Sequence, residues 1–164
     1  MMKIEYLKTD KDLFSFVEEI YRRYFHDATL SNFLLLTFVL NHLREWVVNG
    51  QKWEDIKKVD YIKRTPEQRF FSDIWNLDAF KIIEDICNGV KHCIAMQQLT
   101  EIKGARAGLL RAGDRLGQNY ILIDGKDSRA IFSEVLLKYR DWFNKKCQQA
   151  PAADCGYAKL HRSG

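Results

Sequence analysis

The chain lacks the motifs that mark several common classes of protein. Its four cysteines, Cys87, Cys93, Cys147 and Cys155, include no Cys-x-x-Cys pair, which argues against a zinc knuckle. Neither GxxxxGK followed by Ser or Thr nor GxGxxG is present, so nucleotide binding through those loops is excluded. No serine lies in a nucleophile elbow, which argues against a serine hydrolase. No cofactor is therefore expected.

Long apolar runs are also missing. The longest apolar segment, residues 33–40, is too short to span a bilayer. The first residues show neither the apolar run nor the cleavage pattern of a secretory signal. We therefore expect a cytoplasmic protein with no membrane partner, in which the cysteines are free thiols.

What the chain does have is enough apolar material for one core. Its 164 residues are 46% hydrophobic and 13% aromatic, which predicts a single folded domain. The net charge of +4 permits a nucleic-acid partner without requiring one. Basic residues concentrate in two segments, and a solvated surface is the simpler explanation of both, with nucleic acid as the alternative. They are Lys103, Arg106, Arg111 and Arg115, then Lys138, Arg140, Lys145 and Lys146.

Apolar periodicity predicts helices over most of the chain, and the second should be the most buried because it is apolar over most of its circumference. Thr9 or Asp10 should cap the first helix and Ser31 the second. The predicted segments are 11–26, 33–48, a short piece within 51–65, 66–75 and 78–94, with a last helix from Asp127 or Ser128.

Between residues 99 and 125 glycines recur and helical periodicity stops. Two short strands, 107–111 and 120–124, should form a hairpin around 113–117. The sequence therefore predicts a mainly α fold, a four- or five-helix bundle with a small β-hairpin before the C-terminal helix. A single helical domain over 1–147, with the hairpin insertion near 105–125, would be followed by a flexible tail over 148–164.

The fifth predicted helix carries an unusual group of polar residues. Asp85, Asn88 and His92 are spaced i, i+3 and i+7 and so share one face, with Lys91 beside them. A similar pair lies in the second helix, where His42 and Glu45 are one turn apart. If these two helices pack side by side, the two groups could converge on one polar pocket.

Three interpretations of this pocket stay open. It could be a buried hydrogen-bond network that fixes helix packing. It could be catalytic, with His92 as general acid or base, Asn88 orienting the substrate and Lys91 balancing phosphate charge, all positioned by Asp85, His42 and Glu45. A metal site would use His42, Glu45, Asp85 and His92, but the Glu-x-x-His order of bundle metal sites is reversed, so no metal is expected.

A nucleic-acid contact is expected near the predicted hairpin. Aromatic side chains beside basic residues on strands or loops are typical base-stacking platforms. Tyr120 lies beside the first basic segment. The expected contact residues are Lys103, Arg106, Arg111, Arg115 and Tyr120.

The pairing of His-Leu-Arg-Glu-Trp at 42–46 with Asn-Gly-Val-Lys-His at 88–92 resembles a group of small, uncharacterised bacterial and phage proteins. The second motif is also similar to the HEPN superfamily of helical bundles, whose RNase members carry Arg, a polar residue, three variable residues and His. Asn88 takes the polar position and His92 the histidine, whereas Cys87 stands where the family has arginine. Cleavage would then need Lys91 or a distant arginine at the scissile phosphate.

The resemblance implies a HEPN-like helical protein that binds or cleaves RNA, as a metal-independent ribonuclease with a degenerate motif, in phage defence or a toxin–antitoxin system. The alternative is a non-enzymatic protein–protein interaction module, such as a phage-encoded inhibitor or a homodimeric scaffold, in which the polar cluster is structural. RNA, another protein and a second copy of the chain are thus the expected partners.

Overall fold

A computed structural model of the chain describes residues 7–92, 99–103, 109, 114–115 and 117–149. Within them lie six α-helices, a 3₁₀ turn and three strands. In chain order these are α1 (Asp10–His26), α2 (Leu30–Val47), α3 (Trp53–Ile56), the 3₁₀ turn (Tyr61–Lys63), α4 (Pro66–Trp75), α5 (Asp78–His92), β1 (Leu99–Lys103), β2 (Asn119–Ile123), β3 (Lys126–Asp127) and α6 (Ser128–Gln149).

A reciprocal cap starts α1. Asp12 donates its backbone N–H to the Thr9 hydroxyl at 3.1 Å, and its carboxylate accepts the Thr9 N–H at 2.9 Å. Two of the backbone donors that a helix start leaves unpaired are thereby satisfied. The buried stripe of α1, which faces α2 and α6, comprises Leu13, Phe14, Val17, Ile20 and Tyr24.

The second helix is the central element, as its composition predicts. It contacts α1, α4 and α5, and Phe33, Leu36 and Leu40 are fully buried. Thr29 caps it, not the expected Ser31, so the helix begins at Leu30. It ends at a left-handed pair, Asn49 (φ 51°) and Gly50 (φ 75°), where the Gly50 N–H bonds the Glu45 carbonyl at 2.8 Å.

Proline and threonine fix the start of α4. Pro66 occupies the first turn, where its missing N–H costs no hydrogen bond. Thr65 and Gln68 form a second reciprocal cap. Phe71 and Trp75 of α4 stack with Trp53 of α3, and the three rings form a small core with Val48 and Ile56.

The main core joins α1, α2, α5, α6 and the sheet. From α6 the buried hydrophobic side chains are Ile131, Phe132, Val135, Leu136, Tyr139 and Phe143. Phe14 of α1 stacks on Phe143 at a ring-centre distance of 4.4 Å. The last helix therefore returns to the first and closes the bundle.

The β element is confirmed in kind and corrected in position. The sheet is antiparallel in the order β1–β2–β3, with Leu99 opposite Ile123 and Lys103 opposite Asn119. Of the predicted strand at 107–111 the structure describes only Leu109, which lies in a turn. The true two-residue turn is Asp124–Gly125, with φ of 49° and 78°, between β2 and β3.

The prediction of a mainly α bundle with a small β element before the last helix is confirmed. No helix in the described ranges is long and apolar enough to cross a membrane.

Candidate functional site

Asp85 and Asn88 share one face of α5, and it is the outer one. Asp85 and Asn88 are exposed, whereas Ile83, Ile86 and Cys87 are buried. The helix continues to His92, but the side chains of Lys91 and His92 lie outside the described residues. Asp85 and Asn88 are thus turned away from the core that Ile83, Ile86 and Cys87 help to form.

The upstream pair on α2 is also exposed. His42 Nδ1 lies 3.2 Å from Glu45 Oε2, with about half of each side chain in water. Helices α2 and α5 do pack together, as the hypothesis assumed. However, His42, Glu45, Asp85 and Asn88 are all exposed, so a buried hydrogen-bond network of these four residues is wrong.

The buried polar contact between these helices uses neighbouring residues instead. Arg44 Nη2 donates to Glu84 Oε1 at 3.0 Å, and the arginine side chain is only 7% exposed. Cys87 donates its S–H to the Thr37 carbonyl at 3.5 Å. A shift of one or two residues changes which face of a helix a side chain occupies, so the contact lies one to two positions from the expected one.

Aromatic rings surround Arg44. Its guanidinium carbon lies 4.4 Å from the ring centre of Trp75 and 4.9 Å from that of Phe80. Its Nε and Nη1, together with the buried Asn41 Oδ1, have no hydrogen-bond partner among the described residues. The π faces thus take the place of hydrogen-bond acceptors around much of this cation.

Cys87, which stands at the arginine position of the HEPN-like motif, is a core residue. Burial raises the pKa of its thiol to about 12. The thiol therefore stays neutral near neutral pH and is not a nucleophile. Within the described side chains, no group of three His, Cys, Asp or Glu residues could hold a metal ion.

Tyr120, the expected stacking residue, is fully buried. Its hydroxyl donates to Asp114 at 3.0 Å, and its ring lies 4.7 Å from the guanidinium carbon of Arg129. The ring is therefore closed to a nucleic-acid base. Lys103 and Arg115 are exposed, whereas Arg106 and Arg111 lie outside the described residues.

The group that buries Tyr120 is centred on Arg129, which sequence reasoning missed. Arg129 bonds both oxygens of Asp127, Asp114 Oδ1 at 2.8 Å and the Leu109 carbonyl at 3.0 Å. It stands one residue after the predicted start of the last helix, and its position beside Ile131 and Phe132 was the available signal.

A cleft of about 420 Å³ lies between the 3₁₀ turn, α4 and α6, and we call it the α6 cleft. Three rings, three cations and two carboxylates line it. The rings are Tyr61, Phe70 and Trp142, the cations Arg69, Lys138 and Lys145, and the carboxylates Asp73 and Asp141.

The aromatic part of the α6 cleft is a stacked pair. Trp142 lies on Phe70 with ring centres 4.8 Å apart and planes 16° from parallel. The Trp142 Nε1–H is buried and has no acceptor among the described residues. Tyr61 is 47% exposed and donates its hydroxyl to Asp73 at 3.0 Å. The rings therefore lie beside polar groups at the surface.

The second basic segment divides into two pairs. Arg140 makes a two-pronged bond with Glu18, at 2.6 and 2.8 Å, and Lys146 bonds Asp10 at 2.8 Å. Lys138 and Lys145 instead line the α6 cleft, on either side of Trp142 at i−4 and i+3. No ion pair within the described residues engages either lysine or Arg69.

A second cleft, of about 440 Å³, lies where α1 and α4 begin and α2 ends. Trp46, 38% exposed, reaches it from the outer face of α2. Its charged residues include Lys146 and Asp10, which bond each other.

Comparison of the chain with protein-family models, with curated proteins and with solved structures found no match.

Proposed function

We propose that this chain is a helical RNA-binding protein whose binding surface is the α6 cleft. One observation carries the proposal. The stacked pair of Trp142 and Phe70 lies between cations that no described carboxylate engages. Proteins that bind single strands combine the same two elements, because every base offers a π face and every nucleotide a phosphate.

The basic residues of α6 favour the α6 cleft, rather than another face of this helix, as the RNA-binding surface. Where a carboxylate of α1 is in reach, the cation bonds it, as Arg140 and Lys146 do. Lys138 and Lys145 keep their charge available for a phosphate. The HEPN-like motif and the basic composition favour the same class of partner.

Charge reversal of the α6 cleft tests the proposal. Binding of a short fluorescent RNA of mixed sequence is followed by anisotropy for the wild type and for Lys138→Glu/Lys145→Glu. Loss of two phosphate contacts should make the negative slope of log K against log salt shallower by about 1.4, at about 0.7 per contact. The matched control is Lys81→Glu/Lys126→Glu, which makes the same change in net charge at exposed lysines outside the cleft. Equal weakening by both variants would overturn the proposal.

Trp142 tests the stacking part. Base stacking is worth about 1–3 kcal/mol per base, so Trp142→Ala should weaken binding by about tenfold or more. Trp142→Phe keeps a ring and should keep most of the affinity. A thermal melt of each variant separates lost binding from lost folding.

Cleavage is tested in the same samples. The HEPN-like interpretation gives His92 the catalytic role, with Asn88 and Lys91 beside it, and only Asn88 of these three has a described side chain, which is exposed. Wild-type and His92→Ala proteins are incubated with cellular RNA, with and without chelator. Cleavage that survives chelator and is lost in His92→Ala, with an unchanged melt, would make the RNA-binding protein a nuclease.

A second candidate function rests on the outer face of α2. Leu35, Val39, His42 and Trp46 follow the 4-3-4 spacing of a two-helix seam, and Leu35 is 42% exposed. No Lys, Arg, Asp or Glu stands at these four positions. The matching partner is an equally apolar seam, which a second copy of α2 supplies.

The mass of the protein in solution tests this second candidate. We expect a dimer that Leu35→Lys converts to a monomer, with the exposed Leu137→Lys on α6 as the matched control. A wild-type monomer at micromolar concentration would remove the candidate.

A further inference from the structure

The α6 cleft contains carboxylates as well as cations, and phosphate binding does not explain them. Asp73 accepts the Tyr61 hydroxyl at 3.0 Å and so fixes the tyrosine at the edge of the cleft. Asp141 is exposed, lines the same cleft and directly precedes Trp142. A carboxylate repels phosphate. The part of a bound nucleotide that Asp141 can contact favourably is therefore the base.

A carboxylate offers two acceptor oxygens and no donor. Among the four RNA bases, guanine alone presents two adjacent donors on its Watson–Crick edge, N1–H and the N2 amino group. Adenine and cytosine place their amino group beside a ring-nitrogen acceptor, and uracil places its N3–H between two carbonyl oxygens. A carboxylate beside a stacked base therefore pairs in two-pronged fashion only with guanine.

We propose that the α6 cleft selects guanine, with Asp141 accepting hydrogen bonds from N1–H and the N2 amino group of a base stacked at Trp142. This selectivity rests on the proposed RNA-binding function. Lys138 and Lys145 lie at i−3 and i+4 from Asp141, within the range at which helix side chains interact. They reduce the repulsion between the carboxylate and the phosphates of the bound nucleotide.

We assign guanine recognition to Asp141 rather than to Asp73, because Asp73 already accepts a hydrogen bond from Tyr61. One oxygen of Asp73 is engaged by Tyr61, and this bond raises the pKa of the Tyr61 hydroxyl. Such an anchored carboxylate positions Tyr61. Within the described ranges no residue bonds the Asp141 carboxylate, so a base that docks against it displaces none of those residues.

The test uses oligouridine with one central position changed to guanine, adenine, cytosine or inosine. The guanine oligonucleotide should bind the wild type about tenfold more tightly than plain oligouridine, which is the discrimination that one two-pronged base contact supplies. Inosine, which lacks only the N2 amino group, should lose most of that gain. Asp141→Asn should abolish the preference while still binding oligouridine, because the amide places a donor against the donors of guanine.

Asp73→Asn is the matched control, since its amide oxygen can still accept the Tyr61 hydroxyl, and the guanine preference should persist. If the wild type binds all five oligonucleotides equally well, the guanine inference is overturned while the RNA-binding function stands. If it binds none of them, both fail. Loss of the preference in Asp73→Asn but not in Asp141→Asn would overturn the assignment to Asp141.

Discussion

Two arginines are buried in the described part of the chain, and the protein accommodates their charges in different ways. Arg129 is surrounded by oxygen atoms, since Asp127, Asp114 and a backbone carbonyl accept bonds from all three of its nitrogens. Arg44 has one carboxylate partner and lies against the rings of Trp75, Phe80 and Phe71. Hydrogen bonds to oxygen acceptors fix the orientation of a guanidinium, whereas contact with a ring face requires only a short distance.

The difference shows what each arginine does for the fold. Arg129 ties the start of α6 to Asp114 and Leu109, which precede β2 in the chain. Arg44 lies where three helices meet and contributes mainly through contact with their rings. The cations of the α6 cleft differ from both, because they remain in contact with water.

Removing Arg129 should have the largest effect. Arg129→Met leaves Asp114 buried without its cation, and breaking a buried ion pair costs about 3–5 kcal/mol. Urea unfolding followed by circular dichroism measures the loss. A loss no greater than that of Arg44→Met would break the comparison between the two arginines.

Removing Arg44 should cost less, about 1–3 kcal/mol, the usual penalty for one unsatisfied buried group. The methionine of Arg44→Met keeps contact with the rings, and Glu84, with 19% of its side chain exposed, can reach water. The same urea experiment applies, with Lys81→Met on the exposed side of α5 as the control. A loss above that of Arg129→Met would show that ring faces hold a cation more strongly than carboxylates do.

The pH dependence of stability tests how strongly the core near Arg44 excludes water from the Cys87 thiol. Burial raises the pKa of Cys87 from 9.0 to about 12. The folded state favours the protonated thiol, so the stabilisation is complete below pH 9 and is lost as the pH rises toward 12. The buried tyrosines Tyr24 and Tyr139 have pKa values raised by burial and act in the same direction.

Cys87→Ala shows how much of this loss of stability at high pH comes from the Cys87 thiol. Its unfolding free energy should fall less steeply than that of the wild type between pH 9 and pH 12. Parallel curves for the two proteins would mean that the thiol does not titrate differently in the folded and unfolded states.

Charge reversal in the α6 cleft should have the smallest effect on stability. Lys138→Glu/Lys145→Glu changes exposed side chains and should stay within about 0.5 kcal/mol of the wild type. A larger loss would show that these lysines stabilise the fold and would remove the reason to treat the cleft as a binding surface.

The helices of this fold follow from the sequence because their signals are local. Thr9 with Asp12, and Pro66 after Thr65, set helix starts through bonds within one turn. The sheet was harder to predict, because β1 pairs with β2 across a separation of sixteen residues or more. Several glycines in that interval left the position of the first strand open. The Asp124–Gly125 turn was a local signal, and it was missed in favour of the glycines at 113 and 117.

The candidate site was predictable only in part. That Asp85 and Asn88 share a face follows from their spacing, but which face turns to solvent depends on the phase of the whole apolar stripe. That phase places Arg44 and Glu84 inside and Glu45 and Asp85 outside. The side chains that line the α6 cleft come from positions between 61 and 145, so no single sequence motif predicts it. Only the basic segment that contains Lys138 and Lys145 could be recognised in the sequence.

The return of α6 to α1 has a consequence for how the chain folds during synthesis. Glu18 bonds Arg140 across 122 residues and Phe14 stacks on Phe143, so the first helix meets its last partners when most of the chain has been made. Contacts of such sequence separation form slowly, because a long loop must close first. Until α6 leaves the ribosome, the apolar stripe of α1 is only partly covered, and the nascent chain offers that stripe to chaperones.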